Sequence, residues 1–270
     1  WWEWGHRQLG RVIGLVWFIG FAWFALRRQI QVGWTPRLLL LGGLGGLQGA
    51  IGWWMVASGV TTGQGMLDVA SYRLATHLGL AFVILGFITW YALLLGRSER
   101  DLIQARRSMD GGLSKRATGL MHFTFLQILI GALVAGIDAG RTYNDWPLMA
   151  GAFLPPFPFE LEPVWRNFFE NAGLVQFIHR ITAYLLFAYG LFVWLQGRKS
   201  AHSATRFAFN AVMAVLVLQV VWGVITVLYA APVHTALVHQ GLAVVLWVLI
   251  LRARHLAMYP HTDSIRGAMA

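Results

Sequence analysis

Apolar residues run along this chain in seven long stretches, roughly Gly10 to Leu26, Leu38 to Ala57, Leu74 to Leu95, Gly119 to Ile137, Gly173 to Leu195, Phe207 to Ala230 and Pro232 to Leu251, separated by polar, Arg-rich or Gly-rich segments. Each is long enough to cross the hydrocarbon core of a bilayer, which takes about 17–25 residues of helix. A backbone facing lipid must satisfy its own hydrogen bonds, so all seven are predicted to be helical. The fold class is all-α, a polytopic membrane protein.

Composition sharpens this picture. Hydrophobic residues make up 57% of the chain and charged ones 12%, which excludes an ordinary soluble domain. The formal net charge is +10, yet it does not point to nucleic acid, because the basic residues fall in alternate connections. Arg27, Arg28 and Arg37 lie in the first; Arg97, Arg100, Arg106, Arg107, Lys115 and Arg116 in the third; Arg198, Lys199 and Arg206 in the fifth; Arg252, Arg254 and Arg266 in the tail. The positive-inside rule makes these cytoplasmic. The opposite connections, near Ser58 to Arg73, Asp138 to Asn171 and Tyr229 to Val233, then face outward. Many of the tryptophans sit near span ends, where aromatic belts anchor helices. The chain has no cysteine, so redox work requires a bound cofactor.

An internal repeat sets the architecture. Leu47-Gln48 with Gly52, Leu126-Gln127 with Gly131 and Leu218-Gln219 with Gly223 share one spacing. His6-Arg7 is matched by His179-Arg180, and His77-Leu78-Gly79-Leu80-Ala81 by His239-Gln240-Gly241-Leu242-Ala243. The second half reads as four helices in the order Leu-Gln, His-Arg, Leu-Gln, His-x-Gly, and the first half supplies the last three. The pattern therefore predicts two pseudo-symmetric four-helix bundles, with one further helix before Trp1. It divides the chain into an N-terminal bundle over 1–96, a cytoplasmic linker over 97–116, a C-terminal bundle over 117–257 that includes the outer segment 138–171, and a tail over 258–270.

Paired histidines supply the candidate chemistry. Imidazole is the commonest protein ligand for metals, and helix bundles build cofactor sites from side chains on facing helices. His6, His77, His179 and His239 all lie on spans running from outside to inside, each near the outer end; His239 is about seven residues into its span, or roughly 10 Å. Two imidazoles at similar depth on parallel helices can hold one iron from both sides, so the four point to two haems toward the outer face. The competing reading of a membrane histidine is an interhelical hydrogen bond, and His122 is assigned to it. His234 lies at a helix entrance outside the repeat, and His202, His255 and His261 fall in predicted loop or tail. Arg7 and Arg180 are placed to reach haem propionates, since a guanidinium forks onto a carboxylate; the alternative, equally open for Arg73 and Arg166, is snorkelling to headgroups. Glu3 precedes His6 by three residues, on the same helix face if the helix includes it, while the counterpart before His179 is the neutral Gln176. That asymmetry suggests one reactive site and one that only holds its haem.

These stretches, together with Thr76-His77-Leu78-Gly79, Tyr143-Asn144-Asp145-Trp146-Pro147-Leu148-Met149 and His234 through Gly241, give the chain a resemblance to the haem A synthase family, in particular its cysteine-free branch of alphaproteobacteria and mitochondria. The resemblance implies an oxidoreductase that converts a methyl group of haem O to the formyl group of haem A for terminal oxidase assembly. It implies that His6 and His77 bracket haem O in the N-terminal bundle, with Glu3 beside the reacting group, and that His179 and His239 ligate a haem b in the C-terminal one. The implied setting is a bacterial or mitochondrial inner membrane, with haem sites toward the periplasmic side. Haem O, lipid and an unidentified electron donor or acceptor are the implied partners; haem O synthase, oxidase assembly factors and a second copy of the chain are further candidates, and nucleic acid is not one. Two features depart from the family: the first helix of the pattern, and the loop cysteine pair of the other branch. The rival reading is a two-haem b-type, quinol-linked electron-transfer cytochrome, and a third is a haem carrier. The outer segment 138–171 is long and rich in Pro and aromatic residues, either a cap on a haem pocket or a plain interfacial lid.

Overall fold

The computed structural model describes residues 1–60 and 70–261, without the side chains of 58–60. Residues 61–69 of the first outward connection, and the tail from 262 with Arg266, lie outside the described residues. The helices are α1 (Trp2–Leu26), α2 (Thr35–Val60), α3 (Ser71–Leu95), α4 (Glu99–Arg106), α5 (Gly111–Gly136), α6 (Asn167–Glu170), α7 (Ala172–Gly197), α8 (Ser203–Leu228) and α9 (Val233–Met258). Seven of these, all but α4 and α6, are long and apolar enough to span a membrane. The chain is an integral membrane protein, all-α as its periodicity predicts; among the described residues the only sheet-like pairing is a bridge between Met149 and Ala152.

Several helices outrun their apolar stretches. Helix α1 starts at Trp2 and takes in Glu3, His6 and Arg7. Helix α5 starts at Gly111, where Asp110 caps it by accepting the amide of Leu113 at 2.8 Å, and the shorter α4 is capped by Ser98. Much of the segment 97–116 expected as linker is thus helical. Side-chain oxygens at these positions satisfy amides that have no partner inside the helix. Helix α9 runs on to Met258 and carries His255 into the interior, 2% exposed, between the rings of Trp90 and Tyr259. The expectation that His255 is solvated is therefore wrong: its flanking arginines mark a membrane boundary, but their stems let the helix continue. His122 bonds within its own helix, Nδ1 lying 2.9 Å from Thr118 O, and not to a neighbouring helix as expected.

The main core lies among α5, α7, α8 and α9, built on Leu113, Leu120, Val193, Phe209 and Ile250. Small residues allow close approach, as membrane helices require in the absence of a hydrophobic drive between them; Gly190 meets Leu216, and Gly197 meets Phe209. Helix α3 packs on α5 and α9 and joins the two halves, while α2 packs on α3 and α1 on α2. At that junction Phe82, Trp247 and Leu251 form a second apolar cluster, and Trp247 Nε1 donates to Phe82 O at 3.0 Å. The bond ties a buried indole to a backbone carbonyl across the halves.

Candidate functional site

The repeat resolves into a contact between consecutive membrane helices. Each Leu-Gln helix presents its glutamine to the histidine of the next spanning helix: α2 to α3, α5 to α7, α8 to α9. Gln48 Nε2 donates to His77 O at 3.0 Å and lies 3.3 Å from His77 Nε2. Gln127 Nε2 donates to His179 O at 2.9 Å and lies 3.0 Å from His179 Nδ1. Gln219 Nε2 lies 3.4 Å from His239 Nε2. The glycine four residues after each glutamine, one helical turn on, faces the same ring. A Cβ added at Gly52, Gly131 or Gly223 would lie 2.9, 3.1 or 3.0 Å from Cε1 of His77, His179 or His239 respectively. These glutamines and glycines were visible as a spacing in the sequence, but nothing in one helix says which neighbour it faces.

Of the predicted histidines, His6 and His77 face each other with ring centroids 6.4 Å apart and planes at 82°. His179 and His239 lie on α7 and α9, which both pack against α5 and α8. His234 is exposed at the start of α9. Among the described residues no three His, Cys, Asp or Glu side chains gather as metal ligands, so a metal held here takes its remaining ligands from elsewhere. A porphyrin is a group that provides four such ligands. A metal about 2 Å from each of two facing imidazole nitrogens, with roughly half a ring beyond each, needs a centroid separation close to the one between His6 and His77. Nδ1 of His77 and of His239 is buried without a hydrogen-bond partner, and so is Oε1 of Gln48 and of Gln219. Buried polar atoms of this kind are costly when left unmet, and they mark the rings as groups shaped for something besides protein contacts.

Around the first pair the charges are exposed: Arg7 Nη2 donates to Glu3 Oε1 at 2.7 Å, with side chains 56% and 67% exposed. Around His179 they are buried. Arg180, 7% exposed, donates through Nη1 to Asp145 O and Leu148 O and through Nη2 to Tyr143 O, all at 2.9–3.0 Å. Gln176 Nε2 donates to Tyr143 O as well, at 3.0 Å. The Tyr143 to Met149 stretch is thereby fastened onto the N-terminal part of α7, with Trp146 Nε1 donating to the Tyr184 hydroxyl oxygen at 2.8 Å. Three carbonyls thus engage three of the four Nη hydrogens of Arg180, while its Nε is buried without a hydrogen-bond partner. Asp145 sits in this loop; burial works to raise its carboxyl pKa, but amides of Gly151 and Ala150 and the charge of Arg180 outweigh it and hold the group below the usual carboxylate range.

A membrane protein with a facing pair of imidazoles and a repeated histidine set on its second group of helices has the form of a haem-handling protein. The match to known proteins is specific. Residues 1–251 fit the COX15-CtaA family model, described as cytochrome oxidase assembly protein, and the chain belongs to that family. It is 69% identical over 267 residues to a protein of Ruegeria sp. (strain TM1040) and 66% identical over 267 residues to one of Roseobacter denitrificans, each match covering 99% of this chain and 70% of the relative. A Paracoccus denitrificans protein is 58% identical over 269 residues, 100% of this chain and 70% of the relative. All three are named heme A synthase.

Proposed function

We propose that this chain is an oxidoreductase of haem A synthesis, taking a methyl group of haem O to the formyl group of haem A. The observation that carries this reading is the facing pair His6 and His77 in a chain 69% identical to a heme A synthase along nearly its whole length. In this reading the N-terminal bundle, residues 1–96, takes haem O between His6 and His77, and the C-terminal bundle, residues 117–257, keeps a haem b between His179 and His239. Bound haem b supplies one-electron redox chemistry that side chains lack.

The chain's own residues bind, orient and carry charge. Helix α1 puts Glu3 and His6 on one face, three residues apart, so the carboxylate lies beside the porphyrin that His6 holds, where it stabilises developing positive charge or moves a proton. Its partner Arg7 is in an exposed ion pair, worth no more than about 1 kcal/mol, and exchanges Glu3 readily for a propionate. Beside the second pair, Gln176 stands where Glu3 stands in the first, neutral and buried; this half retains its haem. The loop clamped by Arg180 closes the outer end of that pocket. The membrane is an inner membrane, with both sites toward the periplasmic side, opposite the arginine-rich connections.

Chromatography of porphyrins extracted from the purified full protein tests the reading. Haem O or haem A beside haem B is the expected result. Haem B alone, with no conversion of added haem O, would make the chain an electron-transfer cytochrome.

A further inference from the structure

Three glutamines in three different helices are each set against the next histidine, in a layer where a polar side chain is expensive and stays only with a role. Two of the amides, Gln48 and Gln127, touch their histidine twice, at a ring nitrogen and at the backbone oxygen of the same residue. That double contact fixes where the ring lies relative to its own helix. The glycine one turn later leaves room for the ring on the same helix face.

The matched pairs of unmet atoms define the role further. In two cassettes the glutamine lacks a partner for Oε1 and the histidine lacks one for Nδ1. An imidazole that gives one nitrogen to a metal keeps a proton on the other, and metal-bound histidines as a rule donate that proton to a nearby oxygen. At Gln219, whose NH2 holds no backbone carbonyl, rotating the terminal amide by half a turn interchanges its oxygen and its NH2 group and brings Oε1 to His239 Nε2; at Gln48 the same turn would set Oε1 against the His77 oxygen that its NH2 serves. The third cassette differs. Thr182, three residues after His179, donates through Oγ1 to Gln127 Oε1 at 2.5 Å; the corresponding positions after His6, His77 and His239 are Leu9, Leu80 and Leu242. Gln127 is thereby held with its nitrogen toward the ring.

We propose that Gln48, Gln127 and Gln219 are positioning residues for the histidines they face, that each Gln-x-x-x-Gly with the following His is one ligand-holding cassette, and that Gln219 acts as the hydrogen-bond acceptor for its ligand imidazole while Thr182 denies that role to Gln127. The inference rests on the reading that these histidines bind haem iron. Its consequence is a difference in ligand basicity within one haem site: His239 gains an acceptor and donates more strongly to iron, and His179 does not.

The test uses the full protein purified with its haem b. Gln219→Leu is expected to weaken haem retention by about ten- to a hundredfold and to change the low-temperature electron paramagnetic resonance g values, which report the ring orientation. Gln219→Glu, a stronger acceptor, is expected to restore haem retention and to shift the midpoint potential negative of the parent, and Thr182→Val is expected to shift it negative as well by freeing Gln127. Melting of the haem-free protein separates positioning from packing. Haem loss with unchanged melting supports the inference; haem loss only in step with collapsed melting in both Gln219 variants overturns it, as do parental g values, retention and potential in all three. His239→Ala tests the underlying reading separately: undiminished haem b there overturns haem ligation itself, whatever the glutamine variants show.

Discussion

In the half built on α5, α7, α8 and α9, His179 has Gln176 and Arg180 buried beside it, Thr182 fixing Gln127, and an outer loop tied down by the guanidinium. In α1–α3, His6 has Glu3 and Arg7 at the equivalent places, paired with each other and exposed. The two halves share the cassette and differ in everything around it. Buried neighbours tied to backbone carbonyls suit a site that keeps its ligand; an exposed ion pair, easily exchanged, suits one that admits a substrate and lets a product go. On the function proposed above, the comparison divides the labour: the repeated residues concern binding of a porphyrin, and the unrepeated ones decide what happens to it.

The sharpest way to break the comparison is to remove a ligand from the retaining half. His179→Ala or His239→Ala should abolish haem b absorbance while the protein still inserts in the membrane, and optical spectra of purified protein would show it; haem b retained in full by the His239 variant would shift the assignment to His234. Glu3→Ala tests the other half. It should still bind porphyrin but slow haem A formation by roughly a hundredfold or more, with haem O or a partly oxidised product accumulating on chromatography. Glu3→Gln recreates the Gln176 arrangement and asks whether charge or shape matters; normal haem A yield in both variants would leave Glu3 a helix-end residue.

A smaller effect is expected at the loop. Arg180→Lys keeps a charge but loses the planar fork that reaches three carbonyls, and should destabilise the outer segment by roughly 2–4 kcal/mol, read as faster protease cleavage between Tyr143 and Met149. Unchanged cleavage would show that Gln176 and Trp146 suffice. The mildest perturbation is acid. Asp145 has a folded pKa below its ordinary value of about 3.9, so its contribution is complete above that value and is lost as pH falls through the lower folded one. Hydrogen exchange in the Tyr143 to Gly151 loop should therefore accelerate only in that acidic window, and an Asp145→Asn variant should show no such step.

The spans and the meeting of His6 with His77 were legible because they depend on local sequence: apolar length and a repeated motif. Helix ends were less legible. Trp2 to Leu9 and Arg252 to Met258 carry charges that lower local hydropathy, yet a long arginine stem crosses the boundary without breaking a helix, so hydrophobicity stopped short of the backbone on both sides. Partners were least legible. Arg180 carries a guanidinium suited to carboxylates, and only the path of residues 143–149 shows that backbone oxygens reach it first. Gln48, Gln127 and Gln219 had a spacing but no visible purpose, because their purpose lies on another helix.

The indole of Trp247 and the carbonyl of Phe82 are 165 residues apart in sequence. Synthesis at ordinary rates puts roughly 10–30 seconds between the two. Throughout that interval α1–α3 are in the membrane without the contact that fastens them to α9. The α9 side of the joint between the halves is therefore the last part to close in biogenesis, after α3 has met α5, and the order of events follows from chain direction alone.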